Sequence, residues 1–152
     1  MISTAFDTLT AAGAALFAQN ARLLTLRFAE GSGIGAEVLL PHRIEGEEHL
    51  SRNFRYTLSC LSADMHLELK ALLGQPVELG ILLPEGGQRL LTGIVTRAEQ
   101  QGADGGFAKY QLLIEPALAI LAHRRNSRVF QDKSVVEIAQ TILDEHLAAN
   151  PV

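Results

Sequence analysis

Apolar and polar residues alternate through most of the chain. From Arg22 to Ala29, Leu24, Leu26 and Phe28 fall on one side, and Thr25 and Arg27 on the other, the period of a half-buried strand. Asn53 to Leu61 carries the same period more strongly, with Phe54, Tyr56, Leu58 and Cys60 opposed to Arg55, Thr57 and Ser59. Glu37 to Glu48 predicts another strand, and Pro41 within it predicts an edge or a bulge, because proline cannot donate to a ladder. Three strands then follow as a meander: Pro76 to Leu83, Gln88 to Glu99 and Phe107 to Glu115. Their turns, Pro84-Glu-Gly-Gly87 and Gln101-Gly-Ala-Asp-Gly-Gly106, contain glycine pairs that supply the positive φ of tight hairpins.

Helical periods are fewer. Ser62-Ala-Asp64 is placed to cap a short helix through Leu67, Leu69 and Leu72, which Gly74 ends. Pro116 stops the last strand, and Ala117 to His123 predicts a short buried helix. Arg124 to Gln131 predicts a short extended segment. Ser134 and Glu137 then stand in capping-box spacing, and Val135, Ile138, Ala139 and Ile142 form one face of a closing helix that Asn150-Pro151 terminates. Residues 1–20 form a leader for which a loose helix and a mobile segment weigh equally, since Gly13 and the threonines weaken a helix. The expected fold is mainly β with helices (α+β): an antiparallel β-barrel or sandwich over residues 21–152, decorated with short helices and a C-terminal helix.

Composition sharpens this picture. A chain of 152 residues suits one domain, and 47% apolar content suffices for a core, which must be aliphatic because there is no tryptophan. The formal net charge of −4 disfavours nucleic acid as a partner. A lone cysteine, Cys60, cannot form an internal disulfide, and its position on the apolar side marks it as a small buried hydrophobe. Asp7 precedes any Lys or Arg, so no secretory signal peptide is visible, and no apolar run approaches the length of a membrane span.

No catalytic constellation emerges. His42, His49, His66, His123 and His146 show no metal-ligand spacing, so neither metal nor cofactor is expected. Gly31-Ser-Gly33-Ile-Gly35 lacks the lysine and following helix of a phosphate loop and reads as a turn. Glu45, Glu47 and Glu48 could hold a cation, but a solvated face is favoured roughly nine to one. Arg124, Arg125 and Arg128, with Lys133 nearby, are the candidate assembly contacts, positioned to grip carboxylates of a neighbouring subunit or surface. Solvated charge at a helix C-terminus is weighed about twice as heavily.

Several separated blocks resemble one family. Phe54-Arg-Tyr-Thr-Leu-Ser-Cys-Leu-Ser-Ala-Asp64, Leu69-Lys-Ala-Leu-Leu-Gly-Gln-Pro-Val77, Thr92-Gly-Ile-Val-Thr-Arg97, Tyr110 to Pro116, Leu118 to Leu121 and Ser127-Arg-Val-Phe-Gln-Asp-Lys-Ser-Val135 are similar, in type and order, to the N-terminal region of VgrG proteins, the spikes of type VI secretion. The resemblance covers about residues 21 to 147, with Leu91 standing where an aromatic is expected. It implies a phage-tail-hub-like β-barrel domain, an N-terminal fragment of a longer spike protein, with a structural and not an enzymatic role. It further implies a homotrimer in the full-length protein, an Hcp-like tube ring protein as partner, and effector or tip proteins carried by C-terminal regions not present here. The location it implies is the bacterial cytoplasm before firing, followed by secretion through the type VI apparatus without a signal peptide.

Two alternatives stand beside this reading. One is the tail hub of a contractile phage or phage-like particle. The other, and the weakest, is a small-ligand-binding barrel, because the expected inward positions are mostly Leu, Val, Phe and Ile.

Overall fold

The alternating stretches become six strands in the computed structural model, which describes residues 22–149. The leader expected over residues 1–20 and the helix stop at Asn150-Pro151 lie outside the described residues. The strands are β1 (Leu24–Phe28), β2 (Leu40–Glu47), β3 (Arg55–Ser62), β4 (Pro76–Leu82), β5 (Gln88–Asp104) and β6 (Phe107–Glu115). They form one sheet in the order β1-β4-β5-β6-β3-β2, with every neighbouring pair antiparallel. The sheet curls until its edge strands, β1 and β2, approach each other, but no ladder joins them. The expected barrel is therefore only partly closed. Closure depends on pairing between the ends of a long sheet, which local alternation does not encode.

Register places the apolar positions inside. Leu58 lies opposite Leu112, Tyr56 opposite Ile114 and Cys60 opposite Tyr110, and all six are buried. Leu26, Leu79 and Val95 join them from β1, β4 and β5 in a single core cluster. Pro41 fits both predictions made for it: β2 is an edge strand, and its register shifts between Pro41 and Arg43. The exposed Arg43, Glu45 and Glu47 leave β2 a poor template for a foreign strand.

Three local expectations need correction. The second meander turn is two residues, not six: Asp104 pairs with Phe107, and Gly105 and Gly106 make the turn with φ of 60° and 85°. Consecutive glycines permit this tightest hairpin, so the ladder extends through Gln101 to Asp104. The helix after β3 is one turn only, α1 (Leu69–Leu72), and Ser62 and Asp64 do not cap it. Ser62 Oγ accepts from the Asp64 N–H at 3.1 Å and Asp64 Oδ1 from the His66 N–H at 2.8 Å, so both hold the loop before it. Tyr110 secures that loop from below, its hydroxyl donating to the Asp64 carbonyl at 2.9 Å and accepting from the Leu67 N–H at 3.3 Å. Gly74, at φ 76°, stops α1 as expected.

The third correction lies in a second compact unit, which begins at Ala117, where the first ends at Pro116. The short helix expected over Ala117–His123 forms as a 3-10 helix, but only Ala119 in it is buried. Residues 124–134 carry no helix or strand. Helix α2 (Val135–Ala149) follows. Its capping box forms as predicted: Glu137 Oε2 accepts from the Ser134 N–H at 2.7 Å, and Ser134 Oγ accepts from the Glu137 N–H at 3.3 Å. Its apolar face exists but is largely uncovered, with Val135 82% and Ile142 39% exposed.

Candidate functional site

The second unit positions the three arginines through its backbone turns. The 3-10 helix closes with the Arg124 N–H donating to the Leu121 carbonyl at 3.0 Å. The chain then runs irregularly until Asp132, whose left-handed φ of 54° turns it into the Ser134 cap. This path lays residues 124–130 alongside α2. Between them lies an open cleft of about 290 Å³. Leu121, Phe130 and Ile142 line it with apolar surface, and Arg124, Asn126, Arg128 and Glu145 supply its polar groups.

Of the candidate assembly contacts, the structure brings Arg124 and Arg128 together in this cleft, whereas Arg125 is exposed and does not line it. Arg128 is bound to Glu145 on α2 at 2.5 Å. The hydrogen bond between them holds the Glu145 carboxyl below the usual carboxylate range and raises Arg128, and the positive charges of Arg124 and Lys133 act on Glu145 in the same direction. Lys133 sits 5.9 Å from the centre of the Phe130 ring and donates to Thr141 Oγ1 at 3.1 Å.

His146 was not singled out as a buried residue, yet it is 3% exposed and its Nε2 lies 3.3 Å from the Ala117 carbonyl. The signal was present: His146 continues the Ile138 and Ile142 stripe at a spacing of four. The other histidines are exposed, and His49 meets Glu47 at 3.3 Å.

The acidic cluster on the first unit is divided among separate partners. Glu45 pairs with Arg43, Glu47 with His49, and Glu48 with Arg89 and the Tyr56 hydroxyl. Among the described residues, no three His, Cys, Asp or Glu side chains gather as a metal-holding group. Cys60 is fully buried, and burial pushes its thiol up to about 12, so it packs as a hydrophobe. The glycine-rich segment from Gly31 to Gly35 forms an open surface loop, with Gly31 and Gly33 at positive φ. Among the described residues, no helix is long and apolar enough to cross a membrane.

Comparison with known proteins gives this geometry a context. Residues 47–151 match the family described as phage tail baseplate hub (GPD). The chain is 39% identical over 127 residues to the type VI secretion system spike protein VgrG1c of Pseudomonas aeruginosa, covering 84% of this chain and 17% of that protein. It is 32% identical over 122 residues to spike protein VgrG3 of Vibrio cholerae, covering 74% of this chain and 12% of the relative. The chain thus spans about one sixth or less of the length of these curated relatives. A solved structure of the E. coli c3393 protein superposes with a TM-score of 0.65 and 27% identity, covering 79% of this chain and 31% of that one. The c3393 protein is described as a component of the type VI secretion system with structural similarity to the T4 bacteriophage tail proteins gp27 and gp5. The match across residues 47–151, more than half of the sequence, shows that the chain belongs to the phage tail baseplate hub family.

Proposed function

We propose that this chain is the hub-like portion of a type VI secretion spike, a non-catalytic structural element at the tip of the tube. The observation that carries the reading is a partly closed barrel, filled by its own side chains, in a chain that aligns over 84% of its length with a type VI secretion spike protein. A filled interior offers rigidity in place of a ligand chamber, which suits a part that transmits force. The partners are two further copies of the spike protein, a tube ring protein of the Hcp type, and effector or tip proteins carried by other regions of the spike. The protein waits in the bacterial cytoplasm and leaves through the type VI apparatus without a signal peptide. Arg124, Arg125 and Arg128 serve assembly, not folding. The supporting observation is that they are exposed and that none takes part in the core.

A second reading, the tail hub of a contractile phage or phage-like particle, is favoured by the family match itself. Genes neighbouring the coding sequence separate the two. The experiment on the first reading replaces all three arginines with serine in the full-length spike protein. Loss of assembly and secretion, with melting temperature unchanged, is the expected result, and intact secretion overturns the assembly role. Light scattering of the 152-residue chain at several concentrations tests whether the hub portion carries the trimer by itself.

A further inference from the structure

We propose that the cleft beside α2 binds a short peptide of a partner protein in which an acidic side chain stands next to an aliphatic one. This narrows the assembly role given above to Arg124 and Arg128, and rests on that part of it alone. The argument is one of charge and surface. Two guanidinium groups and one carboxylate line the cleft, so it holds an excess positive charge within a chain of net charge −4. Glu145 is already engaged by Arg128 at 2.5 Å. The Arg124 side chain forms no ion pair with a described residue, although its charge is felt at Glu145. A second carboxylate placed between Arg124 and Arg128 accepts charge-assisted hydrogen bonds from guanidinium groups, which are stronger than bonds between neutral groups.

The apolar lining selects what accompanies that carboxylate. Leu121, Phe130 and Ile142 supply its apolar lining, and Ile142 is 39% exposed. A free anion would leave this lining in water, whereas an aliphatic side chain adjoining the acidic one covers it. About 290 Å³ accommodates two such side chains but not a folded domain. Arg125 lies outside the cleft and serves as an internal control.

The test is a titration of the isotope-labelled 152-residue chain, followed by NMR, with Ac-Leu-Glu-Leu-NH2, Ac-Leu-Gln-Leu-NH2, Ac-Ala-Glu-Ala-NH2 and inorganic phosphate. The Leu-Glu-Leu peptide is expected to shift the Ile142 methyl and Arg124 Nε signals. It should bind about tenfold more tightly than the glutamine peptide, the factor that one charge-assisted hydrogen bond supplies, and more tightly than the alanine peptide. Arg124→Ser removes the preference for Glu over Gln, and Arg125→Ser leaves it intact. Equal response to Glu and Gln, or no response at Ile142 and Arg124, overturns the proposal. Phosphate shifting the same signals as strongly as the peptide makes the cleft a simple anion site and also overturns it. Shifts that grow with protein concentration before any peptide is added give the cleft to a second copy of the chain, with the same consequence. None of these outcomes depends on trimer formation or secretion, so failure here and failure of the spike reading are told apart.

Discussion

Arg89 and Glu48 meet at 2.5 Å although their strands never pair. Arg89 is the second residue of β5, Glu48 follows the last residue of edge strand β2, and two strands stand between β5 and β2 in the sheet. Glu48 also accepts from the Tyr56 hydroxyl, and Tyr56 packs on Phe54 with ring centres 5.5 Å apart. The pair thus ties strands across the curl of the sheet where the ladder provides no connection. An ion pair bridging distant strands favours the curled arrangement over a flat one, because flattening would separate its partners.

The tie is sensitive to acid. The Tyr56 hydroxyl and Arg89 hold the Glu48 carboxyl below its ordinary 4.5. A carboxyl with a depressed folded-state pKa contributes stability that is present above 4.5 and disappears as the pH falls through the depressed value. Glu48→Gln is therefore expected to melt lower than the parent at pH 7, by on the order of 2 °C given the exposure of the pair. The two melting curves should converge in strong acid. A difference that persists unchanged to low pH would assign the effect to packing in place of charge.

Gly93 lies where β5 leaves β4 for β6. A Cβ there would stand 2.7 Å from the Glu115 carbonyl oxygen and 2.8 Å from Ile114 Cγ2. The backbone oxygen cannot swing aside without disturbing the β5–β6 ladder. Gly93→Ala is expected to cost about 1–3 kcal/mol. Gly35→Ala is the control, since its Cβ would meet only Val38 Cγ2 at an ordinary 3.5 Å, and it should change stability by less than about 0.5 kcal/mol. Urea denaturation of both variants makes the comparison. Equal stabilities would show that the sheet relaxes freely at Gly93.

Cys60 reports on opening of the core. Its thiol is pushed up to about 12 by burial, so almost no thiolate exists near neutral pH and no reagent reaches the sulfur. Alkylation by iodoacetamide at pH 8 is expected to be negligible in the folded chain and rapid in denaturant. Rates at intermediate denaturant should follow the unfolded fraction. Fast labelling of the folded chain would mean that β3 and β6 separate locally without global unfolding.

What could be read from the sequence was what short spacing encodes. Ser134 and Glu137 are three residues apart, and their box forms as spacing demands. Tyr56, Leu58 and Cys60 alternate with polar neighbours and all turn inward. What could not be read depends on residues brought together from afar. The approach of β1 and β2 without pairing is one case, and the Arg89–Glu48 tie, 41 residues apart, is another. Arg128 and Glu145 are separated by 17 residues of turn and helix, so the arginine cluster was legible as charge but not as a cleft. The face of α2 was legible as apolar, but whether anything covers Val135 is a tertiary matter that periodicity cannot answer.

The assignment of faces on β3 carries a direct test. Leu58 is fully buried, opposite Leu112 on β6 and Ile44 on β2, while its neighbour Ser59 faces the other side between Gln111 and Arg43. Leu58→Asp places an unpaired carboxylate in the aliphatic core at a cost of several kcal/mol, about the whole stability of many domains, so the variant should be unfolded at 25 °C. Leu58→Ala should fold but lose about 2–5 kcal/mol. Ser59→Asp adds the same carboxylate one position along, on the polar side near Arg43, and should cost about 1 kcal/mol or less. Circular dichroism and thermal melting of the three variants separate the cases. Because neighbouring residues on a strand point to opposite faces, unfolding by Ser59→Asp together with tolerance of Leu58→Asp would mean that the whole strand is turned the other way.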